Sequence, residues 1–191
     1  FKPMLSKQDR VLVLFPGNSY GSVGDVIKKS LNAIEVESFV PGVMVDPDAT
    51  ASFILDNLIN AIVAIPMQVL YLSRVHRELF KHNIDRVLLS ADYVPEVLIR
   101  ELSTEYGCKV FTHYGSSEMG YGGGVECEAL NGYHLREADI YFEIIDPETG
   151  KPVEDGQYGE IVFTTLTRQA MPLIRYRTGD IASLSSAPCE C

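Results

Sequence analysis

A run of small, hydroxyl-bearing and acidic residues stands past the middle of the chain, His113-Tyr114-Gly115-Ser116-Ser117-Glu118-Met119-Gly120. It follows the apolar, strand-like segment 109–111 and leads into three glycines, 122–124. In open α/β sheets, ligands collect beyond the carboxyl ends of the strands, and glycine lets the backbone approach a ligand closely. A hydroxyl can donate to a phosphate oxygen, and the Glu118 carboxylate could hold the Mg²⁺ that accompanies a nucleotide. Taken alone, this octet fits an ordinary glycine- and serine-rich loop equally well.

A second polar cluster, Arg175-Tyr176-Arg177-Thr178-Gly179-Asp180, comes near the end of the chain. An acidic residue at the end of a strand can accept hydrogen bonds from both hydroxyls of a ribose, as it does in dinucleotide-binding folds. Asp180 is therefore a candidate ribose ligand. By itself, however, the cluster is better explained as a Thr-Gly-Asp turn in which Asp180 caps a backbone amide.

The third constellation has the residue types of a zinc site. Cys127 and His134 give Cys-x₆-His, and Cys189 and Cys191 give a distant Cys-x-Cys. Zinc takes four nitrogen or sulfur ligands tetrahedrally, and four protein ligands would make the site closed and structural. The alternative is a set of independent, reduced cysteines with His134 on a solvated strand face. Cys108, in a turn between a predicted helix and strand, is expected to lie outside the site.

The elements that position these residues read as strands alternating with helices. The predicted strands cover 10–15, 35–40, 61–65, 86–90 and 109–111, and the predicted helices cover 22–33, 46–57, 67–82 and 96–106. This alternation predicts an α/β fold with a doubly wound, mostly parallel sheet. Right-handed crossovers would place the loops after strands 86–90 and 109–111 on one rim. Residues 91–93 and 114–116 are therefore expected to be neighbours.

The last third of the chain has a different pattern. Segments 133–137, 140–145, 159–165 and 173–177 alternate apolar and polar residues, which is typical of antiparallel strands with one solvated face. The sequence thus predicts an α/β portion at 1–126 and an antiparallel β portion at 127–191. One continuous domain is the alternative.

Composition excludes several classes of function. The formal net charge of −10 argues against a nucleic-acid partner, because phosphate-backbone binding needs clustered lysine and arginine. No apolar run approaches the ~20 residues that span a bilayer, so no membrane partner is expected. A secretion signal is not recognisable, which favours a cytoplasmic protein with reduced thiols. A chain that starts at Phe1 and ends at Cys191 looks like a piece of something longer.

Three motifs occur in a fixed order: Tyr-Gly-x-Ser-Glu at 114–118, Gly-Glu-Ile-Val at 159–162 and Tyr-Arg-Thr-Gly-Asp at 176–180. Together they resemble the adenylate-forming superfamily of acyl-CoA synthetases, peptide-synthetase adenylation domains and luciferases. The longer matches at 113–120, 155–160 and 171–180 resemble the phenylacetate-coenzyme A ligase branch. This resemblance runs over most of the chain and implies the middle of that family's large N-terminal domain.

The resemblance implies a nucleotide site formed by Ser90, Ala91, Asp92, His113, Tyr114, Gly115, Ser116, Ser117 and Asp180. Tyr114 would flank the adenine and Asp180 would bind the ribose hydroxyls. Ser117, where the family usually has threonine, would bind phosphate, and Glu118 would hold Mg²⁺; these two are the implied catalytic residues. The segment 90–92 occupies the place of the family's adenine loop with a poor letter match.

The implied reaction joins a carboxylic acid, aryl or acyl, to coenzyme A through an acyl-adenylate made from ATP. The family's lysine-bearing phosphate loop and its C-terminal domain would lie outside 1–191, so the chain alone is expected to be inactive. The rival hypotheses are a zinc-stabilised nucleotide-binding or interaction module without ligase activity and a plain α/β scaffold. The sequence leaves open the acid and the oligomeric state, for which a homodimer is one option.

Overall fold

The computed structural model describes residues 4–120 and 122–191, so the chain start at Phe1 lies outside the described residues. The chain divides into two compact units. The first comprises the residues up to Tyr114 together with Val125–Tyr133, and the second comprises Gly115–Gly124 and His134–Cys191. Among the described residues, no helix is long and apolar enough to cross a membrane.

Seven strands form the larger sheet, in the order β2-β1-β3-β4-β5-β6-β7. They are β1 (Arg10–Val13), β2 (Glu37–Phe39), β3 (Ala61–Ala64), β4 (Arg86–Leu89), β5 (Lys109–Tyr114), β6 (Gly124–Glu126) and β7 (Tyr133–Leu135). The first five pair in parallel. This confirms the predicted mostly parallel α/β sheet, whose strands had to be apolar on both faces because helices cover both. The segment at β7, grouped with the tail in the sequence analysis, joins this larger sheet.

The two faces of the sheet carry two separate apolar clusters. Leu12, Ile62 and Leu89 point into one cluster, and Val11, Val63 and Phe111 point into the other. Successive residues alternate between the clusters because side chains in a strand point to opposite faces. Each continuous apolar run in the sequence therefore supplies alternate side chains to two clusters, one on each face of the sheet.

The helices are α1 (Val23–Ala33), α2 (Pro47–Asp56), α3 (Pro66–Val75), α4 (Arg77–Asn83) and α5 (Glu96–Glu105). At the start of α2, the Asp46 side chain accepts a hydrogen bond from the Asp48 amide at 2.9 Å, as an N-cap should. Ser22 occupies the N-cap position of α1, but its hydroxyl donates to the Ser19 carbonyl instead. Gly107 follows α5 with a φ of +73°, the conformation expected of a residue just past a helix end.

The prediction of one long helix over 67–82 is wrong. His76, with φ −117° and ψ 59°, separates α3 from α4. No proline or glycine marks this break in the sequence. After the break, Leu79 and Phe80 are buried in the apolar cluster, and His76 Nε2 lies 3.1 Å from the Asp48 carboxylate.

The second unit contains a three-stranded antiparallel sheet in the order β10-β9-β8. Its strands are β8 (Ile140–Ile145), β9 (Tyr158–Thr165) and β10 (Tyr176–Ser183). The strand predicted at 173–177 begins later, because Arg175 has a φ of +48°. The pairing of β10 with β9 is irregular between Arg177 and Ile181. Asp180 consequently lies inside a strand, at this irregularity, and not after a strand end.

Candidate functional site

In the first unit, the ends of β4 and β5 meet through a side-chain hydrogen bond. Leu89 pairs with Thr112 in the sheet, so the next residues along, Ser90 and His113, lie side by side. Ser90 Oγ is 2.9 Å from His113 Nδ1, and both side chains are half-buried. The structure thus brings two of the predicted site residues together at the carboxyl edge of the sheet.

The segment after Ser90 turns sharply outward. Ala91 has a φ of +66°, a left-handed conformation that costs a residue with a Cβ about 1 kcal/mol. Asp92 is exposed, and its carboxylate accepts a hydrogen bond from the Tyr93 amide at 2.8 Å. A strained backbone at a strand end is common at ligand sites, where it directs a segment toward the ligand.

Tyr114 ends β5 with its ring 6.2 Å from the Tyr133 ring, centroid to centroid. Two hydrogen bonds of Thr112 hold the last residues of this strand in place. Its hydroxyl donates to the Tyr133 hydroxyl at 2.9 Å, and its amide donates to the Glu126 carboxylate at 2.5 Å. Tyr133 and Glu126 therefore orient the strand that carries Tyr114, a role that nothing in their local sequence indicates.

In the second unit, two arginines hold the glycine–serine loop, Gly115–Gly120. The Arg136 guanidinium donates to the carbonyl oxygens of Met119 at 2.7 Å and Gly120 at 2.8 Å. Arg168 donates through Nη1 to the Glu118 carbonyl. The two guanidinium groups bind three consecutive carbonyls, so these arginines fix the loop through its backbone.

Some residues of this loop point into the protein and others are exposed to solvent. Met119 is fully buried and anchors the loop, and the Ser116 hydroxyl accepts a hydrogen bond from the Met119 amide at 3.3 Å. Gly115 and Ser117 are exposed, and Glu118 is half-buried. Gly120 has a φ of +63°, and a Cβ there would collide with the Arg168 side chain. The exposed hydroxyl of Ser117 is thus carried on a rigid turn.

The second polar feature of this unit is an ion pair between β9 and β10. Glu160 is buried, accepts from Arg177 Nε at 2.8 Å, and accepts from the Gly179 amide at 3.1 Å. The Arg177 guanidinium, followed by the Gly179 amide, holds the pKa of the Glu160 carboxyl below its ordinary value although burial opposes this. The 159–162 and 176–180 motifs are therefore two halves of one hydrogen-bonded structure.

This pair fixes the backbone around Asp180. The Thr178 hydroxyl donates to the Ile161 carbonyl at 2.9 Å and accepts from the Asp180 amide at 3.0 Å. Asp180 itself is exposed. Tyr114 and Asp180 belong to different units, and their meeting around one nucleoside remains a prediction.

Three of the four predicted zinc ligands lie together in the second unit. The ligand atoms of His134, Cys189 and Cys191 are within 4.8 Å of one another, and Cys191 Sγ is 3.5 Å from His134 Nε2. Cys127 belongs to the first unit, where it is buried and its sulfur accepts from the Ala129 amide at 3.4 Å. Cys108 is buried apart from them and donates to the Ile84 carbonyl, and burial raises its pKa to about 12.

The supporting residues were missed by the sequence analysis. Arg136, Arg168, Tyr133 and Glu126 act through contacts 14 to 50 residues away along the chain. Glu160, Arg177 and Thr178 had a signal, because they fall in the motifs at 159–162 and 176–180. Arg136, Arg168, Tyr133 and Glu126 have residue types that are common at surface positions, so nothing in the sequence singles them out.

No family model matches the chain. It is 39% identical over 111 residues to a phenylacetate-coenzyme A ligase of Thermus thermophilus, an alignment that covers 57% of this chain and 25% of that protein. It is 56% identical over 73 residues to a phenylacetate-coenzyme A ligase of Aromatoleum evansii, covering 37% of this chain and 17% of that one. The resemblance to phenylacetate-coenzyme A ligases is thus confirmed, and the chain spans about a quarter of the first of these relatives.

Solved structures share the fold. A 2-hydroxyisobutyryl-CoA ligase, in complex with 2-HIB-AMP and CoA, superposes with a TM-score of 0.80 over 94% of this chain and 41% of that one, at 22% identity. A long-chain-fatty-acid-CoA ligase from Archaeoglobus fulgidus gives a TM-score of 0.70 over 95% of this chain and 42% of that one, at 16% identity. The predicted fold, that of part of an adenylate-forming ligase, is therefore confirmed.

Proposed function

We propose that this chain is the nucleotide-binding portion of an ATP-dependent carboxylate–coenzyme A ligase of the phenylacetate type. The similarity to curated phenylacetate-coenzyme A ligases is the observation that carries the proposal. The shared fold supports it, since the 2-hydroxyisobutyryl-CoA ligase structures are described with an acyl-adenylate and CoA.

The proposed reaction has two steps. The carboxylate oxygen attacks the α-phosphorus of ATP, which forms the acyl-adenylate and releases pyrophosphate. The coenzyme A sulfur then attacks the acyl carbon, which forms the thioester and releases AMP. The acid is already ionised near neutral pH, so the first step needs no general base, and stabilisation of phosphoryl charge supplies the catalysis.

In the first unit, the proposed adenine site uses the rim formed by β4 and β5. The Ser90–His113 hydrogen bond holds the two strand ends in register, and His113 serves as a packing residue. Ala91 and Asp92 form the outward-directed segment that would border the base. Tyr114, whose strand end is fixed through Thr112, would stack on the adenine face.

In the second unit, the glycine–serine loop would bind the phosphates. Gly115, Ser116 and Ser117 would approach the phosphate through backbone and hydroxyl, and Glu118 would hold Mg²⁺, which neutralises phosphate charge when it is bound. Arg136 and Arg168 keep this loop in one conformation. Glu160 and Thr178 hold the backbone at 178–180. Asp180 would accept hydrogen bonds from both ribose hydroxyls.

The finer parts of the proposal concern substrates, cofactors and compartment. ATP, coenzyme A and an aryl or acyl acid are the proposed substrates, with Mg²⁺ at Glu118 and Zn²⁺ at Cys127, His134, Cys189 and Cys191. The cytoplasm is the proposed compartment, since it supplies ATP and coenzyme A and keeps such thiols reduced. Because the chain corresponds to about a quarter of the ligases it resembles, the activity is expected only in a longer parent protein.

Nucleotide binding is tested by calorimetry with AMP on the protein and two variants. Asp180→Ala removes a charged hydrogen-bond acceptor worth about 1.5–3 kcal/mol, so AMP affinity should fall roughly 10- to 100-fold. Glu118→Ala should weaken the binding of Mg·ATP more than that of AMP. Glu154→Ala, an exposed carboxylate in another turn, is the control and should bind as the original protein does.

Catalysis is tested by pyrophosphate release with ATP, Mg²⁺ and phenylacetate. The full-length parent should release pyrophosphate in an acid-dependent manner, and the 191-residue chain should not. AMP binding without acid-dependent pyrophosphate release in the parent would favour a nucleotide-binding module over a ligase. Comparable rates from the parent and from the chain alone would contradict the need for additional segments.

A further inference from the structure

Three side chains with nitrogen and sulfur ligand atoms lie close together in the second unit. None of them is assigned to the nucleotide site. His134 comes from β7, and Cys189 and Cys191 come from the segment after β10. Their ligand atoms lie within 4.8 Å of one another although up to 57 residues separate them in sequence. The segment 184–191 has no strand or helix of its own, so the local backbone does not explain why its cysteines point toward His134.

The spacing fits tetrahedral zinc. Zn–S bonds of about 2.3 Å and Zn–N bonds of about 2.05 Å at tetrahedral angles place a sulfur and a nitrogen ligand about 3.6 Å apart. The Cys191 Sγ to His134 Nε2 distance is 3.5 Å. Thiolate and imidazole ligands select zinc, whereas Mg²⁺ and Ca²⁺ require oxygen. The donor set and the distance therefore both point to zinc.

Cys127 is the fourth ligand predicted by the sequence, seven residues before His134. Within its own unit its sulfur accepts a hydrogen bond from the Ala129 amide, and the Leu130 amide binds the Cys127 carbonyl at 3.1 Å. A backbone amide directed at sulfur compensates the negative charge that a metal-bound thiolate retains, as outer hydrogen bonds do for other metal ligands. The turn at 127–130 thus provides a hydrogen bond that a metal-bound sulfur would accept.

We propose that His134, Cys189 and Cys191, all within the second unit, bind one Zn²⁺ as a structural site, with Cys127 as the fourth ligand that the sequence predicts. Four protein ligands leave no position for water or substrate, so the metal does not take part in the reaction. Its effect is mechanical. The Gly156 amide donates to the Leu184 carbonyl at 2.7 Å, and Ser186 donates to the Asp155 carboxylate at 3.0 Å; zinc would add an attachment at the far end of the segment 184–191. This inference does not depend on the ligase proposal.

The test measures metal content and ligand number in the purified protein. Plasma mass spectrometry should find about one zinc per chain. Replacement of zinc by Co²⁺ should give the intense visible bands of a tetrahedral site and a near-ultraviolet thiolate-to-cobalt charge-transfer band. Cys127→Ser, Cys189→Ser and Cys191→Ser should each reduce that band, and each should weaken zinc binding at least about 100-fold in a competition with a chromophoric chelator.

Matched controls separate zinc binding from misfolding. His82→Ala changes an exposed histidine on α4 and should keep a full equivalent of zinc, whereas His134→Ala should not. Cys108→Ala removes the cysteine that lies outside the group and should also keep it. Cys189 and Cys191 are exposed, so their serine variants should keep the circular dichroism of the original protein.

The decisive readout for the anchoring role is limited proteolysis of the segment 184–191. Removal of zinc by a chelator should speed cleavage there roughly 10-fold or more and leave cleavage elsewhere unchanged. Less than about half an equivalent of zinc after gentle purification would overturn the proposal, as would equal zinc content in His134→Ala and His82→Ala. Retention of the full charge-transfer band in Cys127→Ser would overturn the assignment of the fourth ligand.

Discussion

Arg136→Ala should loosen the glycine–serine loop without unfolding the unit. Arg136 makes two charged hydrogen bonds to the loop, at 2.7 Å to the Met119 carbonyl and 2.8 Å to the Gly120 carbonyl. Hydrogen bonds to charged groups contribute about 1.5–3 kcal/mol each. The side chain is 35% exposed, so the lower figure applies, and two bonds amount to about 3 kcal/mol.

The assay is amide hydrogen exchange of the loop followed by mass spectrometry. The Gly120 amide donates to the Ser117 carbonyl at 3.1 Å, so its protection reports closure of this turn. A loss of about 3 kcal/mol should raise its exchange rate roughly 100-fold. Arg136→Lys, which can keep one of the two bonds, should lose about half of that energy, which is roughly a 10-fold change.

Arg175→Ala is the matched control within the same unit. Arg175 binds Glu143 and the Gly150 carbonyl, away from the loop, so loop exchange should not change. The reasoning is refuted if Arg136→Ala leaves Gly120 exchange within about twofold of the original protein. It is also refuted if Arg175→Ala accelerates exchange in the loop as much as Arg136→Ala does, because the effect would then be global.

Three further outcomes follow from the described contacts. Cys108, with its pKa raised to about 12 by burial, should resist alkylation at pH 8 in the folded protein and react after denaturation, as counted by mass spectrometry. Gly159→Ala should lower the free energy of unfolding by about 1–3 kcal/mol in a urea titration, since the new Cβ would meet the Ile145 carbonyl. Glu160 has a lowered folded pKa, chiefly through Arg177, so its stabilisation is present above its ordinary value of 4.5 and is lost as the pH falls through the folded value. Glu160→Gln should accordingly show a shallower fall in thermal midpoint below about pH 4.5 than the original protein does, and an equal fall would contradict the pairing.

The sequence predicted the elements whose signal is local. Asp46 followed by Pro47 begins a helix because an acidic cap and a fixed proline φ act within one turn. The apolar runs that became β1, β3, β4 and β5 indicated buried parallel strands, because only a strand covered on both faces tolerates them. The ordered motifs indicated the family because their residue types and spacing are a property of the sequence itself.

The sequence failed where distant parts of the chain decide the conformation. Nothing near His76 in the sequence predicts the end of α3, and the two residues buried after it, Leu79 and Phe80, pack in a cluster formed by several elements. The start of β10 was placed too early because Leu173 alternates like a strand residue, whereas the left-handed Arg175 interrupts the pairing. Both errors arise because periodicity describes one segment and packing involves several.

By itself, the sequence determined the α/β fold class, the order of the motifs and the candidate ligand residues, because these depend on residue type, spacing and local hydrogen bonding. Only the tertiary structure decided which groups hold them in place. Arg136 and Arg168 bind the glycine–serine loop, and the Glu160 carboxylate accepts from the Gly179 amide. These contacts join residues that are 16 to 50 positions apart in the chain. A guanidinium or carboxylate can satisfy many partners, so its residue type does not specify one, and the fold makes that choice.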